Sequence, residues 1–282
     1  MDKADQAALA AAFRARHKRR PVLLLPNAWD PPSAAIFAAA GFEALATTSG
    51  GVAWAIGYPD GEAAPWDEVV AATRRIVRVT RLPVTADIEA GYGATPDAVA
   101  AHMTDIIAAG VVGINLEDGL HGEPPIRSIE DAAARIAAAR AAADRAGVPI
   151  VINARSDLYH QAAMSGAGDD PFDATVARCR AYLAAGADCV YPFGARDPKT
   201  IAALAAAIDA PINVTGRPGL PDAAALERLG VARITIAAAP TLVTLSTIRA
   251  LAETLHASGS FDGLAATMKR PEAQQLFPLD RA

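Results

Sequence analysis

Val84-Thr85-Ala86-Asp87-Ile88-Glu89 alternates apolar and polar side chains and ends on two carboxylates. Successive side chains of an extended strand point to opposite faces. Val84, Ala86 and Ile88 therefore share one face, and Thr85, Asp87 and Glu89 the other. The division recurs in Gly113–Glu117, where Ile114 and Leu116 oppose Gly113, Asn115 and Glu117. In Ile150–Arg155 it sets Ile150 and Ile152 against Val151, Asn153 and Arg155, and in Ile212–Thr215 it sets Ile212 and Val214 against Asn213 and Thr215. One face of each strand suits a covering helix, and the other gathers polar groups towards the strand's C-terminal end.

Four more short apolar runs, Val22–Pro26, Ala44–Ser49, Cys189–Phe193 and Arg233–Ala237, bring the strands to eight. Alanine-rich stretches with helical period lie between strands, among them Pro96–Ala109, Ile129–Ala146 and Phe172–Ala185. Gly41, Gly110, Gly147, Gly186 and Gly230 close helices, as glycine does where the chain turns left-handed. Pro83, Pro149 and Pro211 stand at strand entries, where a missing N–H does little harm. Strands alternating with helices pair in parallel, and eight such units predict an α/β fold, a (β/α)8 TIM barrel with its chemistry at the C-terminal strand ends. An open doubly wound sheet would carry a glycine-rich turn after its first strand; this chain has Asn27-Ala28-Trp29-Asp30-Pro31-Pro32 there. No composition shift marks a linker, so residues 1–282 read as one barrel domain with 240–282 as a C-terminal helical extension.

Composition narrows the function classes. The chain of 282 residues is 52% hydrophobic, largely alanine, with 20% charged residues and a net charge of −5, which excludes a disordered chain and a nucleic-acid partner. The basic run Arg14, Arg16, His17, Lys18, Arg19 and Arg20 reads as the solvated end of an N-terminal helix. No apolar run suits a signal peptide or a membrane span, and Cys179 and Cys189 form neither a disulfide framework nor a zinc pattern. The expectation is a cytoplasmic enzyme with a small-molecule partner and no membrane contact.

Asp87, Glu89 and Glu117 on adjacent strand ends would repel one another without a cation. Arg155 supplies one charge and a divalent ion the remainder, and an all-oxygen donor set points to Mg²⁺ or Mn²⁺ rather than zinc. The alternative, a structural ion-pair network, suits one acid on one strand better than several strands in agreement.

These residues carry a resemblance. Asn27-Ala28-Trp29-Asp30, Ala46-Thr47-Thr48-Ser49-Gly50-Gly51-Val52-Ala53, Gly57-Tyr58-Pro59-Asp60-Gly61-Glu62, Asp87-Ile88-Glu89-Ala90-Gly91-Tyr92-Gly93, Asn115-Leu116-Glu117-Asp118 and Asn153-Ala154-Arg155-Ser156-Asp157 resemble, in order, the isocitrate lyase/phosphoenolpyruvate mutase superfamily. Weaker matches follow at Tyr191–Gly194 and Pro211–Val214. The resemblance implies Mg²⁺ on Asp87, with Glu89 and Glu117 acting through water and Asp60 nearby. It implies that Ser49, Gly50 and Gly51 receive the carboxylate and 2-oxo oxygens of a substrate that Arg155 also binds. Trp29 and Asn213 join these as candidate substrate-binding residues, and Tyr58 joins Arg155, Glu117 and His121 as a candidate catalytic group. Tyr58 and Trp54 either line the pocket or pack against its wall, Tyr92 is a pocket candidate, and His102 reads as a packing residue. The family habit further implies a homotetramer, a dimer of helix-swapped dimers.

The chain departs from the family in the loop Asp118–Arg127. Isocitrate and methylisocitrate lyases carry a Lys-Lys/Arg-Cys-Gly-His sequence there, and the phosphonate enzymes a Lys with an Asn or Thr; this loop has neither. His121, beside Glu123 and between Gly119 and Gly122, would replace the missing acid/base on a hinged lid, or is a solvated loop residue. The expected activity is a Mg²⁺-dependent lyase that cleaves a C–C bond, by retro-aldol cleavage or decarboxylation, of a small 2-oxo or 2-hydroxy di- or tricarboxylic acid through a pyruvate-type enolate. The alternatives are a P–C bond mutase or hydrolase and a non-catalytic 2-oxo-acid binder.

Overall fold

The computed structural model describes residues 1–18, 20–120, 125–166, 170–265 and 268–277. Its strands are β1 (Leu23–Leu25), β2 (Asn27–Ala28), β3 (Leu45–Thr47), β4 (Val84–Asp87), β5 (Gly113–Glu117), β6 (Val151–Ser156), β7 (Cys189–Pro192), β8 (Asn213–Thr215) and β9 (Arg233–Thr235). Every pairing is parallel, in the orders β1-β9-β8 and β2-β3-β4-β5-β6-β7. β1 and β2 are two halves of one strand, interrupted at Pro26, which has no N–H to give. The other junction is a parallel bridge between Val190 and Ile212, supported by Val190 N–H donating to the Pro211 carbonyl at 3.0 Å. The ring is thereby closed, and the eight expected strands form a TIM barrel.

Asn27 secures the seam. Its Nδ2 donates to the Thr47 carbonyl at 2.7 Å, and its Oδ1 accepts from Ile236 N–H at 2.8 Å. One side chain thus ties the first strand to the second and to the end of the last.

The helices form where the sequence places their caps. Thr95, Ser128 and Asp197 each accept a backbone N–H three residues on, at 3.2, 3.1 and 2.8 Å, at the starts of Pro96–Ala108, Ile129–Ala146 and Pro198–Ile208. Gly41, Gly110, Gly147, Gly186 and Gly230 all have positive φ. Small side chains let the outer ring lie close: Ala139 and Ala143 on Ile129–Ala146 are fully buried. No helix among the described residues is long and apolar enough to cross a membrane.

The N-terminal helix Lys3–Arg16 seals the end of the barrel opposite the carboxylates, and here the reading of a solvated basic end needs correction. Phe13 and His17 are buried. Arg14 pairs with Asp188 at 2.9 Å and donates to the Ile150 carbonyl at 3.0 Å, both at strand entries. Burial, with the Arg233 charge behind it, pushes the His17 imidazole down to about 3. The run is basic because some of its members reach into the barrel floor, which composition alone does not reveal. Gln6, also buried, donates from Nε2 to the Ile107 and Val111 carbonyls, each at 2.8 Å. Gln6→Ala should therefore strip two buried carbonyls of their donor and lower stability by about 2 kcal/mol. Urea unfolding should show this as a lower midpoint at unchanged slope.

Candidate active site

At the C-terminal strand ends a cavity of about 370 Å³ opens, lined by Ser49, Asp60, Asp87, Glu89, Glu117 and Arg155 among others. Each is set by the strand or loop that carries it. Asp87 is the last residue of β4; its backbone N–H donates to Thr47 Oγ1 at 2.8 Å and its Oδ2 accepts from Ser49 N–H at 3.2 Å. Its Oδ1 is buried with no hydrogen-bond partner. Burial raises the Asp87 pKa against the pull of Arg155 and Ser49, with Asp60 adding repulsion.

Alternation does not extend as far as the sequence suggests. Glu89 lies beyond β4 with φ +51°, so it has left the strand, yet its carboxylate turns back to the cavity. It accepts Glu62 N–H at 3.1 and 3.0 Å and the Tyr92 hydroxyl at 2.9 Å. Burial, then Asp60 and Asp87, push its pKa up to about 7 despite these donors.

Glu117 ends β5 and meets Arg155 of β6 across the ladder, with Arg155 NH1 2.7 Å from Glu117 Oε2. Asp157 grips the other side of the guanidinium: Nε donates to Oδ1 at 2.6 Å and NH2 to Oδ2 at 3.1 Å. The face of Arg155 lies 3.8 Å over the Phe193 ring. Burial works against the arginine's charge, but Glu117 and Asp157 outweigh it and raise its pKa. Burial raises Glu117 well above the usual carboxylate range, against the pull of Arg155.

Behind this pair, buried Asp118 accepts Asp157 N–H at 2.8 Å, Tyr182 Oη–H at 2.5 Å and Arg178 NH1 at 3.2 Å. Asp118 thus fixes the backbone on which Asp157 holds Arg155. The sequence reading gave Asp157 and Asp118 no role. Asp157 had a signal, since a residue two beyond Arg155 shares its face; Asp118 had none, because its partners come from a distant helix.

The remaining candidates are placed unevenly. Ser49 opens the helix Ser49–Ala55 and lines the cavity. Gly50 packs beside the Asp60 carboxylate, while a Cβ at Gly51 would lie 2.7 Å from atoms of Trp29, Thr48 and Thr241. Gly51 and Trp29 therefore meet each other in close packing and do not line the cavity. Tyr58 donates its hydroxyl to Glu68 at 2.9 Å, outside the cavity. Asn213 faces the barrel axis as alternation requires, but too deep: it is fully buried and hydrogen-bonded to Thr235 at 3.2 Å. Tyr92 reaches Glu89, and His102 stacks on Trp66 with ring centres 4.7 Å apart. His121 and its neighbour Glu123 lie outside the described residues. Tyr191 and Phe193, from the weaker match Tyr191–Gly194, line the cavity, as does His160, which no pattern singled out.

A model of the phosphoenolpyruvate phosphomutase family matches residues 13–256. The chain belongs to that family. An uncharacterised protein of Mycobacterium tuberculosis is 35% identical over 230 residues, 81% of this chain and 83% of its own. An oxaloacetate decarboxylase of Chromohalobacter salexigens is 34% identical over 229 residues, 78% of this chain and 75% of its own. The crystal structure of 2,3-dimethylmalate lyase, a phosphoenolpyruvate mutase/isocitrate lyase superfamily member, superposes with a TM-score of 0.84 at 25% identity, covering 96% of this chain and 95% of that one. This phosphoenolpyruvate mutase family member is thus an enzyme of the superfamily that its strand-end residues resemble.

The raised pKa of Glu89 has a thermodynamic sign. A carboxyl whose folded pKa exceeds its unfolded value stabilises the fold at low pH, and loses that contribution as pH rises through the folded value. In metal-free protein the stability of the wild type relative to Glu89→Gln should therefore fall between about pH 4.5 and pH 7. Paired thermal melts across that range would check it.

Proposed function

We propose that this enzyme is a Mg²⁺-dependent lyase that cleaves a C–C bond of a small 2-oxo or 2-hydroxy di- or tricarboxylic acid through a pyruvate-type enolate. The observation that carries the reading is the juxtaposition, in one cavity, of a buried unpartnered Asp87 oxygen and an arginine clamped between Glu117 and Asp157. An orphaned buried carboxylate oxygen is costly unless something positive meets it, and the hard oxygen donors around it fit Mg²⁺ or Mn²⁺. Among the described residues no three acidic, imidazole or thiol groups converge as a metal-binding cluster. That favours Asp87 as the direct ligand, with Glu89, Glu117 and Asp60 acting through water. An ion held there would supply Lewis-acid polarisation of the 2-oxo group.

The protein's own part is positional and electrostatic. Ser49, on the cavity wall, is the hydroxyl that would meet a substrate carboxylate. Arg155 spends one N–H on Glu117 and two on Asp157, which leaves donors for the substrate. As the C–C bond breaks and its electron pair moves into the enolate, this fixed positive charge lies beside the growing negative charge with no reorganisation required. Decarboxylation asks least of the loop after β5, whose Asp118–Arg127 segment lacks the cysteine of the cleaving lyases and the lysine of the phosphonate enzymes.

With Mg²⁺, the enzyme should release pyruvate from at least one of oxaloacetate, 2-methylisocitrate, 2,3-dimethylmalate and phosphonopyruvate, and a carbon acid should outpace phosphonopyruvate. Turnover of none of them, with oxalate still bound, would overturn the lyase reading in favour of a non-catalytic binder. Asp87→Ala should abolish Mg²⁺ binding in a calorimeter, and Arg155→Lys should lower kcat/KM about a hundredfold or more.

The helix Ala239–Ser258 turns Leu242, Leu245 and Ile248 outward, at 51%, 46% and 55% exposure. We read this row as the face that another subunit covers in a helix-swapped tetramer. Light scattering should return a tetramer mass, and Leu245→Glu with Ile248→Glu a smaller species.

A further inference from the structure

Breaking the C–C bond leaves an electron pair in the enolate, and release of the 2-oxo product requires a proton on carbon. Few groups on the cavity wall can give one. Asp60, Asp87 and Glu89 stand on the side assigned to the ion, and Glu117 and Asp157 hold Arg155. Those two acids raise the Arg155 pKa, so the guanidinium keeps its protons. The Tyr191 hydroxyl is hydrogen-bonded to Thr215 Oγ1, and burial raises its pKa. Cys179 and Cys189 lie outside the cavity, and burial pushes each thiol up to about 12.

Among the described residues, the imidazole that lines the cavity is that of His160. It lies in the first turn of the helix Leu158–Ser165, just past β6, so the strand that carries Arg155 also delivers His160. The Phe193 ring locates both. The Arg155 guanidinium carbon is 3.8 Å from its centre, and the His160 ring centre is 5.2 Å from it. The imidazole and the guanidinium thus share one aromatic neighbour and face one cavity.

Packing fixes the backbone beneath. A Cβ at Gly194 would lie 2.6 Å from His160 N, so the loop after β7 rests on the His160 backbone only with glycine there. The side chain itself is left unengaged: among the described residues the His160 ring nitrogens have no hydrogen-bond partner. Burial lowers the His160 pKa; Asp157 opposes, while Arg155, Arg196 and Arg217 add to the lowering. The imidazolium is therefore a stronger acid than that of a histidine in water.

We infer that His160 is the acid that protonates the enolate carbon, a task for which the loop Asp118–Arg127 offers no cysteine. The inference rests on the proposed lyase reading, which supplies the enolate. An N–H bond of the imidazolium breaks and a C–H bond forms; the C=C pair of the enolate becomes that bond, and the 2-oxo C=O is restored. The neutral imidazole then takes up a proton from solvent, which balances the one delivered. In the reverse direction, neutral His160 removes a methyl proton from bound pyruvate.

That reverse step can be followed without knowing the substrate. In heavy water with Mg²⁺, the full chain should exchange the methyl protons of pyruvate for deuterium, read by proton NMR. His160→Gln should slow this exchange about a hundredfold and leave oxalate affinity, measured by calorimetry, unchanged. His160→Ala should regain part of the rate when imidazole is added. No exchange in a wild type that binds oxalate, or unchanged exchange in His160→Gln, would overturn the role of His160 while leaving the lyase reading standing. Loss of exchange in step with oxalate affinity would overturn it too, since that marks a structural residue. Absence of Mg²⁺-dependent oxalate binding in the wild type would instead overturn the active-site reading, and this role with it.

Discussion

The mouth of this barrel is organised around one guanidinium. Arg155 faces Glu117 from the neighbouring strand, Asp157 from its own chain two residues on, and the Phe193 ring from the next strand over. It spans three consecutive strand ends and ties Glu117 and Asp157 to one fixed position. A buried charge of this kind is tolerable only with every partner in place, so the geometry is fixed in groups rather than residue by residue. Asp118, Tyr182 and Arg178 extend the same logic outward, by locking the backbone from which Asp157 reaches.

The interior below the mouth is also polar. Asn115 Oδ1 accepts from Asn153 Nδ2 at 2.8 Å and from Arg233 NH2 at 3.1 Å, and all three side chains are buried. Arg233 Nε and NH1 and Asn153 Oδ1 lack protein partners in this layer. Buried polar groups so arranged call for ordered water, and Arg233 places a second positive charge under the acidic wall. The barrel therefore balances its carboxylates from beneath as well as from the side.

Period-two alternation made the fold legible, and with it the side of each strand that bears chemistry. Asp87, Glu117 and Arg155 lie where that reading puts them, because each is within its strand and no turn intervenes. Glu89 shows the limit: two residues past Asp87 the chain has turned, and hydrogen bonds from Glu62 and Tyr92 hold its carboxylate at the cavity. Alternation also says nothing about depth, and Asn213 occupies the correct face one layer too low. Tyr58 and Trp29 lie in loops, where a local pattern cannot tell cavity wall from outer packing. His160 joins the site through its contact with Phe193 across strands, which one chain read in order does not display.

The seam at Asn27 sets the order in which this protein can be made. Ile236, which donates to its side chain, is 209 residues further along the chain, and Leu23 pairs with Arg233 at a similar remove. During synthesis the first strand emerges early and has no partner on one edge until the last strand leaves the ribosome. Until then the growing sheet is an open arc with two unpaired rims, the state most exposed to wrong pairing and aggregation. A closed ring whose final stitch joins residues 209 apart in sequence is slow to complete.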